Sequence, residues 1–466
     1  MDLAHILFIK REFKLKGLAM HRRLLFIIII LSSVGGCSNY SYFSEAEDAL
    51  NTASYYDLLD HISIYYPRAI SLNFPGYVVG FEEAPRRLVA ADTDDININP
   101  AHTAAGYTIE RLVKAMRYRT PFISQIMRYE GRRYGEGNCT LYSLYHNHGT
   151  SVVTPCNETP EDAVAKDYDY STTFDKSWHA IDILKERLNE DIKQNHHTHL
   201  IVAVMGLDTA QEEAIRNYRS IVSSVRLHAG EKFEPLFIGI TWPSFYANRW
   251  FDPVWEVLAY HPVADRADIL GLSWLGVLLN DVVLPLGEKM NVSIIGHSFG
   301  ARAASMGLCV GPAILPAGKN VLETPTSGHI ENFIGLAPAF SLRRFVDDHS
   351  LFYENVYYRD YCPMIKRFIF TASSEDGAFA PVFWSDAVGD YDFMLKFCDN
   401  EHPVSLSCTS ANPNGDIDEF DRSAKITYID TSSLMQYTMP GTEGGGHSDI
   451  YRAEVGHLLW TILNSE

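Results

Sequence analysis

The sequence of 466 residues predicts an α/β protein: a mostly parallel central sheet flanked by helices and preceded by an irregular N-terminal extension. The main observation is an alternation of short, β-branched apolar runs with helical stretches from Ser177 to Leu463. The second is composition, because 46% apolar and 21% charged residues are ordinary for a chain that buries a sizeable core.

The alternation is regular in its first half. A helical period covers SWHAIDILKERLNEDIKQ (177–194), and the strand-like run HLIVAVMG (199–206) follows it. A second helical stretch precedes EPLFIGITWPS (234–244), and a third, GLSWLGVLLNDVVLPLG (271–287), leads into the strand NVSIIG (291–296). Each helical stretch thus connects two strands, which is the pattern of a parallel sheet.

Further elements follow along the chain. Strands are predicted at 331–340, 366–374 and 425–430, and the closing segment RAEVGHLLWTIL (452–463) predicts a helix. Chemistry in such sheets lies at the carboxyl ends of the strands, so the segments that follow each strand are where functional residues are expected.

The region before this alternation, residues 38–175, is rich in tyrosine and carries no motif that assigns it a function. TIERLVKAMRYRTPFISQIMRY (108–129) has helical spacing, and 158–175 is typical of a polar linker. We therefore divide the chain into a signal segment (1–36), an extension of unassigned role (37–175) and the α/β domain (176–466).

The signal segment ends in MHRRLLFIIIILSSVGGC (20–37), which has two arginines, an apolar run at Leu24–Leu31 and then small residues. This order is that of a secretory signal, and the apolar run is too short to span a bilayer as a helix. Met20 is an alternative start. Val34–Cys37 resembles a bacterial lipobox, in which the signal is cut before a cysteine that is then lipidated. The alternative is a plain signal peptide, or a short anchor, with an incidental cysteine.

Charge and the lipobox together predict the location. Cys37 is followed by serine rather than aspartate, which resembles lipoproteins sorted to the outer membrane, on its periplasmic side. The net charge of −19 argues against nucleic acid and against an anionic membrane held by charge alone. The expected membrane contact is therefore the lipid, and the sequence predicts no particular protein partner.

Seven cysteines fit an exported protein. If Cys37 is lipidated, an even number remains, which favours disulfides without defining their connectivity. Cys139–Cys156 and Cys398–Cys408 are close in sequence and lie in turn-rich stretches, and a local bridge at Cys139–Cys156 is expected. Cys309 is compatible with a buried thiol. There is no Cys-x-x-Cys motif, which argues against a zinc or redox site.

The motif GHSFG (296–300) places Ser298 between two glycines where a predicted strand meets a predicted helix. Such a turn is typical of a catalytic serine, because the tight backbone requires neighbours without side chains. The alternative is an ordinary turn. The following segment ARAASMGL has small residues that allow a helix to pack closely on the sheet.

A serine hydroxyl is a weak nucleophile and needs a base that is oriented by an acid. In chain order, the candidates are Asp376, shortly after a predicted strand, and His447, in the glycine-rich loop GGGHSDIY. Alternatives remain open for both roles: Glu375 is the main rival acid, Asp386, Asp390 and Asp430 are weaker ones, and His457 and His297 are the other histidines considered, of which His297 is expected to point away from Ser298.

These motifs together resemble the alpha/beta-hydrolase superfamily, close to a lipase-like bacterial group of largely undefined function. The resemblance covers the chain from His199 to Leu463 and rests on VAVMGLDTAQEEA, TWPS, GHSFGARAA, GLAPAF, FTASSEDGAF and YIDTSSL with GGGHSDIY. It implies the fold of that superfamily, with Ser298 as nucleophile, Asp376 as acid and His447 as base.

The resemblance also implies where the oxyanion is bound, and the chain departs from the pattern at two positions. The backbone N–H groups of Phe299 and Leu207 are the implied oxyanion donors. Met205 stands before Gly206 where relatives usually carry histidine, which changes the oxyanion loop. Ala339 stands where relatives often carry aspartate, which removes a rival acid and favours Asp376.

The sequence therefore predicts an exported, lipid-anchored serine hydrolase that cleaves carboxylic esters, acyl or lipid esters among them, through a covalent acyl-enzyme. Two alternatives remain: an acyltransferase that uses the same three residues, and a non-catalytic binding lipoprotein with this fold. No cofactor is expected.

Two other features of the sequence do not add a site to this prediction. The histidines at 146 and 148, and at 196, 197 and 199, lack an accompanying carboxylate or cysteine framework, so no metal site is predicted. The aromatic segment Trp242–Tyr260 fits either a cap that contacts an acyl group or core packing.

The lipobox yields the first prediction. In the native host, a clickable fatty acid should label the wild-type protein, whereas Cys37→Ser should carry none, because the thiol is the only acceptor that the motif provides. Equal labelling of the two proteins would contradict lipidation at Cys37.

Overall fold

The structure is a computed structural model that describes residues 71–85, 97–98, 119–132, 136–143, 156, 173–207, 209, 211–244, 263–316, 328–345, 356–378, 387–400, 404–436 and 446–464. The predicted signal segment, Cys37, and the histidines at 146 and 148 lie outside these ranges, as does most of the aromatic segment after Ser244. The proposed division of the chain at residue 176 stays a prediction.

Ten strands form one mixed, mostly parallel sheet, which confirms the predicted α/β class. Its order is β11-β12-β10-β9-β7-β5-β6-β1-β3-β4, where the strands are β1 (Pro75–Pro85), β3 (Arg119–Glu130), β4 (Cys139–Ser143), β5 (His199–Val204), β6 (Pro235–Thr241), β7 (Asn291–His297), β9 (Ile330–Leu336), β10 (Ile365–Ala372), β11 (Leu406–Ser410) and β12 (Ile426–Asp430). β2 (Asn97–Ile98) and β8 (Ile314–Leu315) pair separately as an antiparallel ribbon.

Helices cover both faces of this sheet. They are α1 (Thr173–Gln194), α2 (Gln211–Ala229), α3 (Val263–Leu272), α4 (Trp274–Val277), α5 (Phe299–Cys309), α6 (Tyr391–Cys398) and α7 (Ala453–Leu463). α4 continues into a π-helical turn (Leu278–Val283) and a 3-10 turn (Leu284–Glu288). α1, α2 and α7 correspond to predicted helical stretches, although α1 begins at Thr173, inside the segment 158–175 that was interpreted as a linker. The stretch predicted at 271–287 is divided between the end of α3 and the helical segment that begins with α4.

The central strands bury both faces, which is why their sequences are continuous apolar runs rather than alternating ones. In β5, Leu200, Val202 and Val204 pack in one hydrophobic cluster with α1, α4 and α5. Ile201 and Ala203 pack in a second cluster with α2 and α7. The sheet therefore lies between two layers of helices.

The parallel registers bring the carboxyl ends of the strands to one edge. Val204 of β5 is level with Gly296 of β7, and His297 is level with Leu336 of β9. On the same side of the sheet, Ala372 of β10 is level with Asp430 of β12. The segments after β5, β7, β10 and β12 consequently begin along the same edge.

The helix predicted within 108–129 is wrong for its second half, because Arg119–Glu130 forms β3. β3 pairs antiparallel with β1 and with β4, and a register shift at Gly80/Phe81 interrupts the first pairing. Phe122, Ile123, Ile126 and Met127 are all buried. Their spacing matches a helix, but it arises because a strand with both faces covered has no alternation to display.

Several other strands and helices had no clear signal in the sequence: β1, β2, β4, β8, β11, α3 and α6. β1 runs parallel to β6, so described parts of the extension join the same sheet as the later strands.

Among the described residues, no single helix is long and apolar enough to cross a membrane. One pair, α3 and the helical segment Trp274–Glu288, passes that test by length and composition but is bent by 40°. Leu272, Trp274 and Leu278 from this pair are fully buried in the protein core, which accounts for the apolar composition.

The structure joins six cysteines in three disulfides. The expected local bridge Cys139–Cys156 is present, with Cα atoms 4.9 Å apart. Cys398 pairs with Cys408. Cys309 is not a free buried thiol, because it pairs with Cys362 and so ties the end of α5 to the segment before β10.

The Cys139–Cys156 bridge yields the second prediction. Replacing both cysteines by serine should lower the free energy of unfolding by about 3 kcal/mol, since a loop of this size gains roughly that much in the chain-entropy model. The measurement is denaturant unfolding of this variant beside Cys398→Ser/Cys408→Ser. The latter bridge closes a shorter loop, so its removal should lower the free energy of unfolding by less. Peptide mapping that finds Cys139 and Cys156 as free thiols in exported protein would contradict the pairing.

Candidate active site

The turn at Ser298 joins β7 directly to α5. Its φ of 51° and ψ of −124° lie in a region that residues with a Cβ rarely adopt. Neighbouring backbone holds the turn on both sides: the Ser298 N–H donates to the carbonyl of Leu336 (3.0 Å), and the Ser298 carbonyl accepts from the N–H of Ala339 (3.1 Å). Strained residues held in this way cluster at functional sites, so the backbone geometry favours the catalytic interpretation of this turn.

The two glycines of the motif are required by close contacts. A Cβ on Gly296 would lie 2.4 Å from Cα of Ala301, and a Cβ on Gly300 would lie 2.2 Å from the carbonyl oxygen of Val204. Neither position has room for a side chain. The motif therefore serves the packing of the turn against α5 and β5.

The segment after β5 lies directly against the serine. A Cβ on Gly206 would be 2.7 Å from Cβ of Ser298 and 3.3 Å from its Oγ. Leu207 follows this glycine, and Phe299 opens α5, so its N–H belongs to the first helical turn, where N–H groups point out of the helix end. Of the two implied oxyanion donors, Phe299 thus follows Ser298 in the chain, and Leu207 follows the glycine that lies against the serine side chain.

The carbonyl before Gly206 is anchored by the core. The indole N–H of Trp242 donates to the carbonyl of Met205 at 2.8 Å. Trp242 itself is buried. At the start of the aromatic segment the core-packing interpretation is therefore correct, while residues 245–262 lie outside the described ranges.

The structure brings His447 and Asp376 together. Nδ1 of His447 lies 2.8 Å from Oδ2 of Asp376, whose side chain is only 2% exposed. The other carboxylate oxygen of Asp376 accepts the N–H of Ala378 at 2.9 Å. The neighbouring rival, Glu375, has an exposed side chain. Asp376 is thus the carboxylate aligned with the histidine.

Backbone contacts link the loops that carry these side chains. The N–H of Gly446 donates to the carbonyl of Glu375 at 2.8 Å. The carbonyl of His447 accepts from Nε2 of His297 at 2.9 Å, and the two imidazole rings are 4.7 Å apart between centroids. His297 precedes Ser298, so the loop of His447 contacts both the acid loop and the strand that leads to the serine.

His297 stays neutral in this setting. Burial, and the neighbouring His447, lower the pKa of His297 to about 3. The structure packs the His297 ring against the ring of His447, and its expected orientation away from Ser298 stays a prediction.

The weaker rivals for acid and base are engaged elsewhere. Asp390 caps α6 by accepting a backbone N–H of its first turn at 2.9 Å. Asp430 accepts a tyrosine hydroxyl at 3.2 Å. His457 stacks on His228 at 4.8 Å between centroids. Asp386 lies outside the described residues.

Within the described ranges, which include the histidines at 196, 197 and 199, no group of three or more His, Cys, Asp or Glu side chains is arranged to hold an ion. His199 instead bonds Thr198 through Nδ1 (2.7 Å) and packs on Phe233. Burial lowers the pKa of His197.

Sequence reasoning assigned no role to Gly446 and gave His297 none at this site, and it considered Trp242 only as part of the motif TWPS and of an aromatic segment. The available signals were weak: a tryptophan after a buried strand, and a histidine inside the serine motif. The contact of Trp242 with Met205 and the contact of His297 with His447 join residues distant in sequence, so only the packed structure shows them.

Comparisons with known proteins do not identify the chain. No protein-family model matches it, and no curated protein matches it. A similar solved structure is the 2.75 Å crystal structure of an uncharacterized protein from Bacillus cereus ATCC 10987, which is 12% identical over 57% of this chain and 65% of that chain. The chain therefore covers just under two thirds of that protein. At a TM-score of 0.21, this similarity supports no particular fold family or activity.

The geometry around His447 yields the third prediction. Asp376→Asn should lower kcat for a short p-nitrophenyl ester by about 10⁴-fold, since the amide favours the wrong imidazole tautomer. Glu375→Gln, the matched control next to it, should stay within about threefold, because an exposed surface change leaves the site intact. A harmless Asp376→Asn together with a crippling Glu375→Gln would show that the acid is the neighbouring residue.

Proposed function

We propose that this chain is a serine hydrolase of alpha/beta-hydrolase type that cleaves carboxylic esters. One arrangement supports the proposal above all: a strained, buried serine lies at the same sheet edge as a histidine paired with a buried carboxylate. The chain order of Ser298, Asp376 and His447 agrees with that superfamily.

In this reaction the Oγ of Ser298 attacks the ester carbonyl carbon while His447 takes the hydroxyl proton. The bond to the leaving alcohol then breaks, and His447 returns the proton to the alcohol oxygen. Water attacks the acyl-enzyme in the second half, again giving its proton to His447, and the acid is released with Ser298 regenerated.

Asp376 acts through the imidazole. It accepts a hydrogen bond from the Nδ1–H of His447, so that Nε2 is the nitrogen that takes the proton of the Ser298 hydroxyl. It also offsets the positive charge that the ring then gains. Burial of the carboxylate strengthens this effect, because the charges are poorly screened by water.

The oxyanion is proposed to bind at the N–H groups of Phe299 and Leu207. The close approach of Gly206 to Ser298 supports this role, as does the start of α5 at Phe299, where the helix end favours negative charge. Each such donor is typically worth about 10²–10³ in rate.

We further propose that the enzyme is exported and anchored through a lipid on Cys37, on the periplasmic side of the outer membrane. The three disulfides support an oxidising compartment. A lipid anchor would keep the enzyme close to membrane acyl esters, which are the substrate class we favour.

The fourth prediction concerns cooperation between the residues. Ser298→Ala and His447→Ala should each lower kcat for a short p-nitrophenyl ester by about 10⁴–10⁶-fold, and the double variant should be barely slower than either, because the residues act as one unit. His457→Ala, which changes a partly exposed histidine of α7, is the control and should keep wild-type activity.

Full activity in His447→Ala would contradict the proposal. Product analysis with added alcohol separates the acyltransferase alternative, which would form a new ester in preference to free acid. A folded wild-type protein without any turnover would favour the non-catalytic binding lipoprotein.

A further inference from the structure

The tautomer of His297 follows from its partner. Its Nε2 lies 2.9 Å from the carbonyl oxygen of His447, and a carbonyl oxygen only accepts. Nε2 therefore carries the hydrogen, and the neutral ring has its lone pair on Nδ1. The single N–H of the neutral ring therefore donates to the main-chain carbonyl of His447.

The other nitrogen of the ring has no hydrogen-bond partner within the described part of the chain, although it is buried. The low pKa of His297, caused by burial and by His447, agrees with a ring that stays neutral at every pH of interest.

The main chain around His447 is bonded on both sides of the residue. On one side, Gly446 donates to the carbonyl of Glu375, next to the acid. On the other side, the carbonyl of His447 accepts from His297, next to the nucleophile. Each contact joins the base to a direct chain neighbour of one of its two catalytic partners.

We propose that His297 is a positioning residue: by donating its Nε2–H to the carbonyl of His447, it sets the distance of the base from Ser298. His297 and Ser298 are consecutive, so the base follows any shift of the serine backbone. The catalytic consequence rests on the proposed hydrolase function, whereas the placement of His447 does not.

The test compares variants that keep or lose the donor at the Nε2 position. His297→Gln places an amide N–H near that position, while His297→Asn places it nearer Nδ1 and His297→Leu removes it. His228→Leu is the matched control, since its Nε2 lies 2.9 Å from the carbonyl of Ala453 on the exposed surface.

We expect His297→Asn and His297→Leu to lower kcat by about 10–100-fold with KM within about threefold, because a misplacement of about 1 Å costs up to 10²-fold in rate. His297→Gln should recover most of the loss, and His228→Leu should match wild type. Loss of ester turnover to the same degree in the Gln and Asn variants, or no loss in any of them, would overturn the positioning role.

A second readout does not depend on turnover. The proton shared by His447 and Asp376 should give a low-field ¹H NMR resonance in wild type and His297→Gln. That resonance should shift or broaden in His297→Asn and His297→Leu. If it behaves this way in a protein without esterase activity, the positioning role stands and the proposed function fails. An unchanged resonance in all folded variants contradicts the positioning role.

Discussion

The backbone of Ser298 is the constraint on which the site depends. A positive φ at a residue with a Cβ costs about 1–3 kcal/mol, and it persists only where surrounding contacts enforce it. Here they do: β9 and the segment after it bond both sides of the serine peptide, and the glycines at 206, 296 and 300 admit backbone where any side chain would collide. The result is a buried hydroxyl at the carboxyl edge of the sheet.

The rest of the fold keeps this turn in place. Asp268 of α3 accepts two hydrogen bonds from Arg302 of α5, at 2.9 and 2.7 Å, and further bonds from Arg344 near the end of β9. Breaking such a buried charge group by removing one partner is costly, so the network fixes the helix that starts at the serine. The disulfide Cys309–Cys362 holds the opposite end of the same helix.

Much of this arrangement was predictable from the sequence, for physical reasons. Buried parallel strands are continuous apolar runs, and the amphipathic helices between them repeat apolar residues with the helical period. The sequence therefore predicted β5, β6, β7, β9, β10 and β12. β3 was not, because burial on both faces of a strand produced the spacing of a helix. Cys309–Cys362 was not either, since it joins segments separated by 53 residues whose proximity depends on the packed sheet.

At the candidate site, too, local features were predictable from the sequence and contacts between distant residues were not. The serine motif is local, so sequence located it. The family resemblance favoured Asp376 over Glu375, whereas the physical reason lies in the turn after β10, which exposes one carboxylate and buries the other against His447. The contact between His297 and His447 joins residues 150 positions apart, so the serine motif alone could not predict it.

The central claim is that Ser298 is an activated nucleophile. The most direct measurement is to treat the folded protein with a fluorophosphonate, digest it and locate the added mass by peptide sequencing. The account predicts one modified residue, Ser298, and no labelling after denaturation. An unmodified Ser298 in folded protein, or an adduct on another serine, would contradict it.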